Sequence, residues 1–161
     1  MTTRWLSESE QEAWRSWVAV SLLLPDRLGR DLQKQADISL ADYEILVNLS
    51  EAPEHRLRMS DLASATLSSR SRLSHQIDRL TEAGLVDRQA CSGDRRGFFA
   101  VLTSAGWEFL VRVAPLHVES VREHLVDVLT PAEFAEFGRL CSLVTDHLLR
   151  PEASSTTGDC A

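Results

Sequence analysis

The stretch Ser68–Arg96 reads SSRSRLSHQIDRLTEAGLVDRQACSGDRR and decides the fold of this chain. It predicts a helix over Ser69–Ala83, then a tight turn, then a strand that enters an arginine-tipped hairpin. The apolar side chains of the helix recur at the spacing of one buried stripe: Leu73, Ile77 and Leu80. Ser68 is the predicted N-cap and Gly84 the predicted stop, because serine commonly caps helices and glycine commonly ends them.

The opposite face of this helix is polar and partly cationic. It carries Ser71, Arg72, Ser74, His75, Asp78 and Arg79. Such a face can enter the major groove of DNA and offer hydrogen-bond donors to phosphates and base edges. We therefore predict DNA contacts from Ser69, Arg70, Ser71, Arg72, Ser74, His75 and Arg79. The alternative is an ordinary amphipathic surface helix with no ligand.

The neighbouring segments complete a winged helix-turn-helix. Upstream, a short helix is predicted from 61 to 66, capped by Ser60 and Asp61, and a brief turn leads into the polar-faced helix. Downstream, 85–89 and 98–102 are strand-like, and the glycine-bounded segment between them carries Arg95 and Arg96. An arginine pair on a hairpin tip has little role in a core, so we predict that it contacts DNA. The alternative is a solvated loop of mixed charge.

Long helices with apolar seams flank this unit. The first opens at a capping box, Ser7 to Glu10, and is predicted to kink or break near Pro25. Thr103 and Thr130 are the predicted caps of two further helices. The fold class is therefore mainly α, with a small hairpin wing. We predict a dimerisation helix at 1–36, a DNA-binding unit at 37–102, dimerisation helices at 103–150 and a disordered tail at 151–161. The seams expose more apolar surface than one chain needs, which favours a homodimer.

Composition excludes several other classes of protein. The net charge of the 161 residues is −7, but segment 57–107 holds seven arginines against five acids, so an acidic body carries one basic face. No apolar run is long enough for a membrane span, and no signal peptide is evident, so we expect a cytoplasmic protein that does not bind membranes. The three cysteines are widely spaced, and the histidines do not pair as metal ligands. We expect no metal, no cofactor and no enzymatic activity, since no catalytic triad, phosphate loop or carboxylate pair is evident.

These motifs resemble the MarR family, the multiple-antibiotic-resistance regulators. The resemblance spans roughly 6–150. It rests on Arg58–Ala63, on Ser71–Leu80 followed by Gly84-Leu85-Val86, and on the wing Asp94-Arg95-Arg96 leading to Leu102-Thr103-Ser104-Ala105-Gly106. The resemblance implies a homodimer that represses or activates transcription from a pseudo-palindromic DNA site. It also implies release by a small, often aromatic and anionic, molecule. In the family the wing aspartate ties down one arginine while another reaches DNA, so Asp94 joins the predicted DNA site.

Two features depart from the family or leave alternatives open. No cysteine stands near the start of the first helix, where peroxide-sensing members carry one, and His75 stands where many members have another basic or polar residue. Trp14, Trp17 and Tyr43 are candidates for lining the effector cavity, although core or dimer packing is the more common role of such aromatics. A redox-responsive regulator acting through Cys91 is an alternative, as is a winged-helix module that binds only proteins.

Overall fold

The computed structural model of the protein describes residues 2–91 and 94–150, and the side chains of residue 91 and of 94–96 lie outside that description. The helices are α1 (Glu8–Ala36), α2 (Leu40–Glu51), α3 (Met59–Ala65), α4 (Arg70–Glu82), α5 (Ser104–Val121) and α6 (Pro131–Leu148). The strands are β1 (Arg56–Arg58), β2 (Val86–Cys91) and β3 (Asp94–Leu102). A one-turn 3₁₀ helix, Pro53–His55, precedes β1, and a π-helical turn, Arg122–Val126, extends α5.

The predicted fold class is confirmed. Among the described residues the strands form a three-stranded antiparallel sheet in the order β1-β3-β2, and all the other elements are helical. Register is fixed by pairs such as Arg58 with Phe99 and Arg88 with Ala100. β3 begins at Asp94, four residues before the predicted strand, so the arginine pair lies on the strand backbone and not in a loop. The predicted tail at 151–161 falls outside the described residues.

One core joins the predicted DNA-binding unit at 37–102 to the flanking helices. Its fully buried side chains come from that unit and from α1 and α5: Leu32, Ile45, Leu46, Leu49, Leu62, Leu73, Ile77, Val86 and Val113. α5 is held close to this core at Gly106, where an added Cβ would lie 2.2 Å from the carbonyl oxygen of Leu85. The residue must therefore be glycine for α5 to pack against the start of β2 at this distance.

The start of α4 is shifted by one residue from its prediction. Ser69, not Ser68, is the N-cap, and its hydroxyl accepts a hydrogen bond from the backbone amide of Arg72. Ser68 belongs to the preceding turn, where its amide donates to the carbonyl of Ala63. The end of α4 is as predicted, because Gly84 has a left-handed φ of 71°.

Two other expectations about helix ends are wrong. α3 begins at Met59 and its N-cap is Arg58 without a side-chain hydrogen bond, because β1 runs directly into the helix and leaves no room for a cap at Ser60. α1 continues through Pro25, so of the kink or break predicted there the break does not occur, and the kink stays a prediction. A proline removes one backbone donor, and in a helix of 29 residues this effect is local. The caps predicted at Ser7, Thr103 and Thr130 are all present.

The outer helices leave apolar surface uncovered within the described part of one chain. There, α6 has no buried residue, and Leu32 is the one buried residue of α1. Exposed large apolar side chains on these helices are Trp14, Trp17, Val20, Leu22, Leu23, Leu140, Leu143, Val144 and Leu148. Exposed apolar surface of this extent is typical of an interface with another chain.

Candidate nucleic-acid interface

α3, a short turn and α4 form the helix-turn-helix that the sequence predicts. Leu62 and Ala63 of α3 are buried against the apolar stripe of α4, which fixes the angle between the two helices. The turn contains Leu67, which has a φ of 49° and is 85% exposed. A leucine in the left-handed region is strained, because its Cβ crowds the following carbonyl oxygen.

The face of α4 that points away from the core carries several of the predicted DNA-binding residues. Arg70, Ser71, Arg72, His75 and Arg79 are exposed. Ser69 lies at the start of the helix, where its hydroxyl caps the first turn and lies 3.3 Å from that of Ser71. The outermost ridge of the helix is formed by Ser71 and His75, which lie opposite the buried Leu73, Ile77 and Leu80.

One flank of α4 is tied to the wing by Arg88 of β2. Its Nη2 donates to the carbonyl oxygen of Ser74 at 3.1 Å and to the Ser74 hydroxyl at 3.2 Å, and it lies 2.8 Å from a carboxylate oxygen of Asp78. Ser74 is therefore half-buried beneath this arginine and holds it in place, and its DNA contact stays a prediction. No local pattern in the sequence indicates the role of Arg88, because its partners lie in a different element.

The other flank of α4 is tied to α2. Nη2 of Arg79 donates to both carboxylate oxygens of Asp42, at 2.9 and 3.0 Å. The Asp42 residue is only 7% exposed, whereas the Arg79 side chain is 56% exposed. The sequence predicts that Arg79 contacts DNA, and the structure places one of its nitrogens on this carboxylate. An aspartate in the first turn of α2 is also a common helix-start residue, so this partnership is not visible in the sequence.

The wing is present as the hairpin of β2 and β3, with an irregularity in register between Ala90 and Cys91. Asp94, Arg95 and Arg96 lie on the first residues of β3, and their side chains are outside the described part of the structure. The predicted DNA contacts of these three residues therefore stay predictions, as does the redox alternative at Cys91. Arg58 of β1 packs over the ring of Phe99, with its guanidinium carbon 5.4 Å from the ring centre.

The three aromatic residues expected to line an effector cavity do not lie together. Trp14 and Trp17 are exposed on α1, 57% and 48% respectively. Tyr43 is buried on α2, with its ring centre 4.6 Å from that of His117 on α5. Since α1 rises about 1.5 Å per residue, Trp17 lies about 22 Å along the helix from Leu32, which packs in the same core as Tyr43.

Burial around Tyr43 alters the chemistry of its contact with α5. Desolvation raises the pKa of the Tyr43 hydroxyl and lowers the pKa of the His117 imidazole, so both groups favour their neutral forms. Nδ1 of His117 is buried and has no hydrogen-bond partner among the described residues.

A separate apolar groove of about 470 Å³ lies between α1, the π-helical turn and α6, lined in part by Leu23, Leu125 and Phe137.

A polar contact joins α1 to the end of α5. The carboxylate of Asp31 accepts a hydrogen bond from the Ser120 hydroxyl at 2.6 Å and lies 2.9 Å from Nε2 of His124. The hydrogen bond from Ser120 and, to a smaller extent, that from His124 lower the pKa of Asp31.

Within residues 2–91 and 94–150, no group of three or more histidine, cysteine or acidic side chains is arranged to hold a metal ion. The helices in these ranges include none with the length and hydrophobicity of a membrane-spanning segment.

Comparison with known proteins matches this arrangement to one family. Residues 36–97 match the MarR family. The chain is 32% identical over 127 residues to the HTH-type transcriptional regulator PecS of Dickeya dadantii (strain 3937), and the matched region covers 78% of this chain and 73% of PecS.

Two solved structures from Streptomyces coelicolor extend the match to almost the whole chain. AbsC, a MarR family transcriptional regulator, has a TM-score of 0.84 and 51% identity, over 91% of this chain and 98% of AbsC. Sco3205, a MarR family transcriptional regulator in complex with DNA, has a TM-score of 0.89 and 43% identity, over 95% of this chain and 96% of Sco3205. The winged helix-turn-helix and these matches together assign the chain to the MarR family of transcriptional regulators, and not to a class of enzymes.

Proposed function

We propose that this chain is a cytoplasmic transcriptional repressor that binds a pseudo-palindromic operator as a homodimer. The observation that carries the proposal is the exposed ridge of α4, where Ser71 and His75 point away from the core between two flanks held by Arg88 and Arg79. A recognition helix fixed on both flanks presents its side chains to base edges in one orientation, which sequence reading requires. The solved structure of Sco3205 with DNA supports this proposal.

The homodimer is inferred from the uncovered apolar faces of α1 and α6. A helix with no buried residue gains little from its own chain, because most helical stability comes from tertiary packing. A second copy that covers these faces would bury Trp14 and Trp17, so packing is the better account of both residues. Two-fold symmetry then places two copies of α4 about one turn of DNA apart, which fits a palindromic site.

Phosphate contacts are expected from the arginines that border the ridge. Arg70 and Arg72 are exposed at the start of α4, and Arg95 and Arg96 belong to the first residues of β3. Because the whole chain is acidic, binding depends on this basic face being turned toward DNA. A mutation that removes one arginine–phosphate pair is expected to lower the salt slope of binding by about 1.

Release by a small aromatic or anionic molecule is the further part of the proposal. Tyr43 packs on α5, and the adjacent Asp42 holds Arg79 of α4. A ligand that displaced Tyr43 from His117 would therefore move the residue next to the anchor of the recognition helix. Repression follows if the operator overlaps a promoter, since a bound dimer excludes polymerase.

The test is a footprint of the purified protein on the DNA upstream of its own gene, followed by transcription in vitro from that template. We expect one protected, nearly symmetric site and less transcript as protein is added. If the purified protein protects no site, or if its DNA binding does not weaken with salt, the result would favour a protein-interaction role. More transcript on binding would identify an activator.

A further inference from the structure

The turn between α3 and α4 holds an apolar side chain in a conformation that leucine rarely adopts. In the part of the chain that the structure describes, four non-glycine residues have a positive φ: Asp37, Glu54, His55 and Leu67. Aspartate and histidine enter this region several times more often than most residues, whereas a bulky aliphatic residue there is an outlier. Leu67 gains little packing in return, because the residue is 85% exposed. Strained residues concentrate at functional sites, so its side chain is expected to contact a group outside the chain.

We infer that Leu67 is a specificity residue for DNA, and that its side chain packs against the 5-methyl group of one thymine in each half of the operator. The inference rests on the DNA binding proposed above. It adds a base contact from the turn that precedes α4, where the sequence predicts none.

Backbone hydrogen bonds fix the turn that carries this leucine. The amide of Leu67 donates to the carbonyl oxygen of Ser64 at 3.3 Å, and the amide of Ser68 donates to that of Ala63 at 2.9 Å. Both bonds return to the last turn of α3, so the turn moves with the helix-turn-helix as one body. The exposed side chain of Leu67 is therefore held outside the core by the backbone and not by contacts of its own.

The two hydroxyl groups beside Leu67 are already used within the turn. Oγ1 of Thr66 donates to the carbonyl oxygen of Leu62 at 2.8 Å, and Oγ of Ser68 donates to the carbonyl oxygen of Thr66 at 3.3 Å. Neither hydroxyl has a hydrogen left to give to DNA. The side chain that the turn can offer to DNA is therefore the aliphatic one of Leu67.

The turn leads into the end of α4 that is expected to enter the major groove. In helix-turn-helix proteins the N-terminal residues of the recognition helix contact base edges. Leu67 lies two residues before the N-cap Ser69, so the two Cα atoms are within about 7 Å of each other. The apolar group that base pairs expose in the major groove is the thymine 5-methyl group, which suits an aliphatic side chain at this position.

The experiment uses the full chain and the operator duplex obtained by footprinting, with each thymine replaced in turn by deoxyuridine, which lacks only the 5-methyl group. Wild-type affinity should fall about fourfold at the thymine that meets Leu67, the loss expected for one buried methyl group. Leu67→Ala should bind the unmodified duplex about fourfold more weakly and should lose its response to deoxyuridine at that position alone. Leu67→Met keeps a long apolar side chain and should retain the response.

Val111→Ala, which shortens an exposed aliphatic side chain on α5, is the matched control and should show the wild-type loss at the same thymine. Leu67→Gly is the second variant. Because glycine relieves the strain, this variant should be at least as stable as the wild type while it loses the response, so weaker binding cannot be due to unfolding. If the wild type binds the operator but Leu67→Ala keeps the wild-type response at every thymine, the thymine contact is wrong and the proposed function stands. If the wild type binds no DNA, both proposals fall.

Discussion

Asp42 and Arg79 are joined by two hydrogen bonds across the gap between α2 and the recognition helix α4. The carboxylate is buried and the guanidinium is more than half exposed. The pair therefore fixes one flank of α4 without removing all the donors of the arginine from solvent. It also links α2, which touches α5 through Tyr43, directly to the predicted DNA-binding face.

Replacing Asp42 by alanine should lower the free energy of unfolding by about 1 kcal/mol, an estimate reduced because the exposed arginine is screened by solvent. It should also weaken operator binding, because α4 loses its anchor. Denaturant unfolding and a binding titration measure the two effects. Glu136→Gln, which breaks an exposed pair with Arg139, is the control and should change neither quantity measurably. If both changes lowered the free energy of unfolding and the operator affinity equally, the Asp42–Arg79 pair would contribute no more than an exposed ion pair.

Leu67 should respond to glycine substitution by becoming more stable. Its side chain makes little contact with the protein, while its left-handed φ strains any residue that has a Cβ. Leu67→Gly is expected to raise the free energy of unfolding by about 0.5–1 kcal/mol, because relief of strain outweighs the greater freedom of glycine in the unfolded chain. Leu67→Ala is the control, since it removes the same side chain but keeps the Cβ. A gain with alanine equal to that with glycine would contradict the explanation.

The apolar face of α6 should hold two chains together. Sedimentation of the wild type at micromolar concentration should give a dimer, and Leu140→Asp combined with Val144→Asp should give a monomer. Ser142→Asp places one such charge on the opposite side of the helix and should leave the dimer intact, whereas Leu140→Asp alone should already weaken it. A wild type that sediments as one chain would remove the basis for the palindromic operator.

Lowering the pH should remove the stability that Asp31 contributes. Its pKa is lowered in the folded chain, chiefly by the Ser120 hydrogen bond, so the stabilisation is present above the unfolded pKa of about 4 and disappears as the pH falls through the folded pKa. Wild type should unfold with a higher free energy than Ser120→Ala at pH 7. The difference should shrink in acid, below about pH 4. A difference that is constant with pH would mean that the hydroxyl does not act through the carboxylate.

Local patterns in the sequence are sufficient to predict most of the elements. The spacing of Leu73, Ile77 and Leu80 identifies α4, and serine or threonine before an acidic residue locates the starts of α1 and α6. The predicted cap of α4 is one residue early because two adjacent serines look equivalent until the turn is known. The break expected at Pro25 does not occur because a long helix tolerates one missing hydrogen bond.

The parts of the candidate site that escape prediction depend on contacts between distant elements. Asp42 with Arg79 and Arg88 with Ser74 are separated by 37 and 14 residues, so no local pattern marks them. Gln76 is buried, although a polar residue next to the apolar stripe of a helix is normally exposed.

His75 should read a base, and Arg70 should hold a phosphate. His75 lies on the outermost ridge of α4, so His75→Ala should alter affinity at particular operator positions by about 1–3 kcal/mol per base pair. Arg70 lies at the exposed start of the helix, so Arg70→Ala should weaken all sequences about equally and reduce the salt slope by about 1. The measurement is a titration of each variant against a set of single-base operator changes. If His75→Ala changed the affinity for every duplex by the same factor, the ridge would not face the groove floor. α4 would then have to be rotated in the proposed complex.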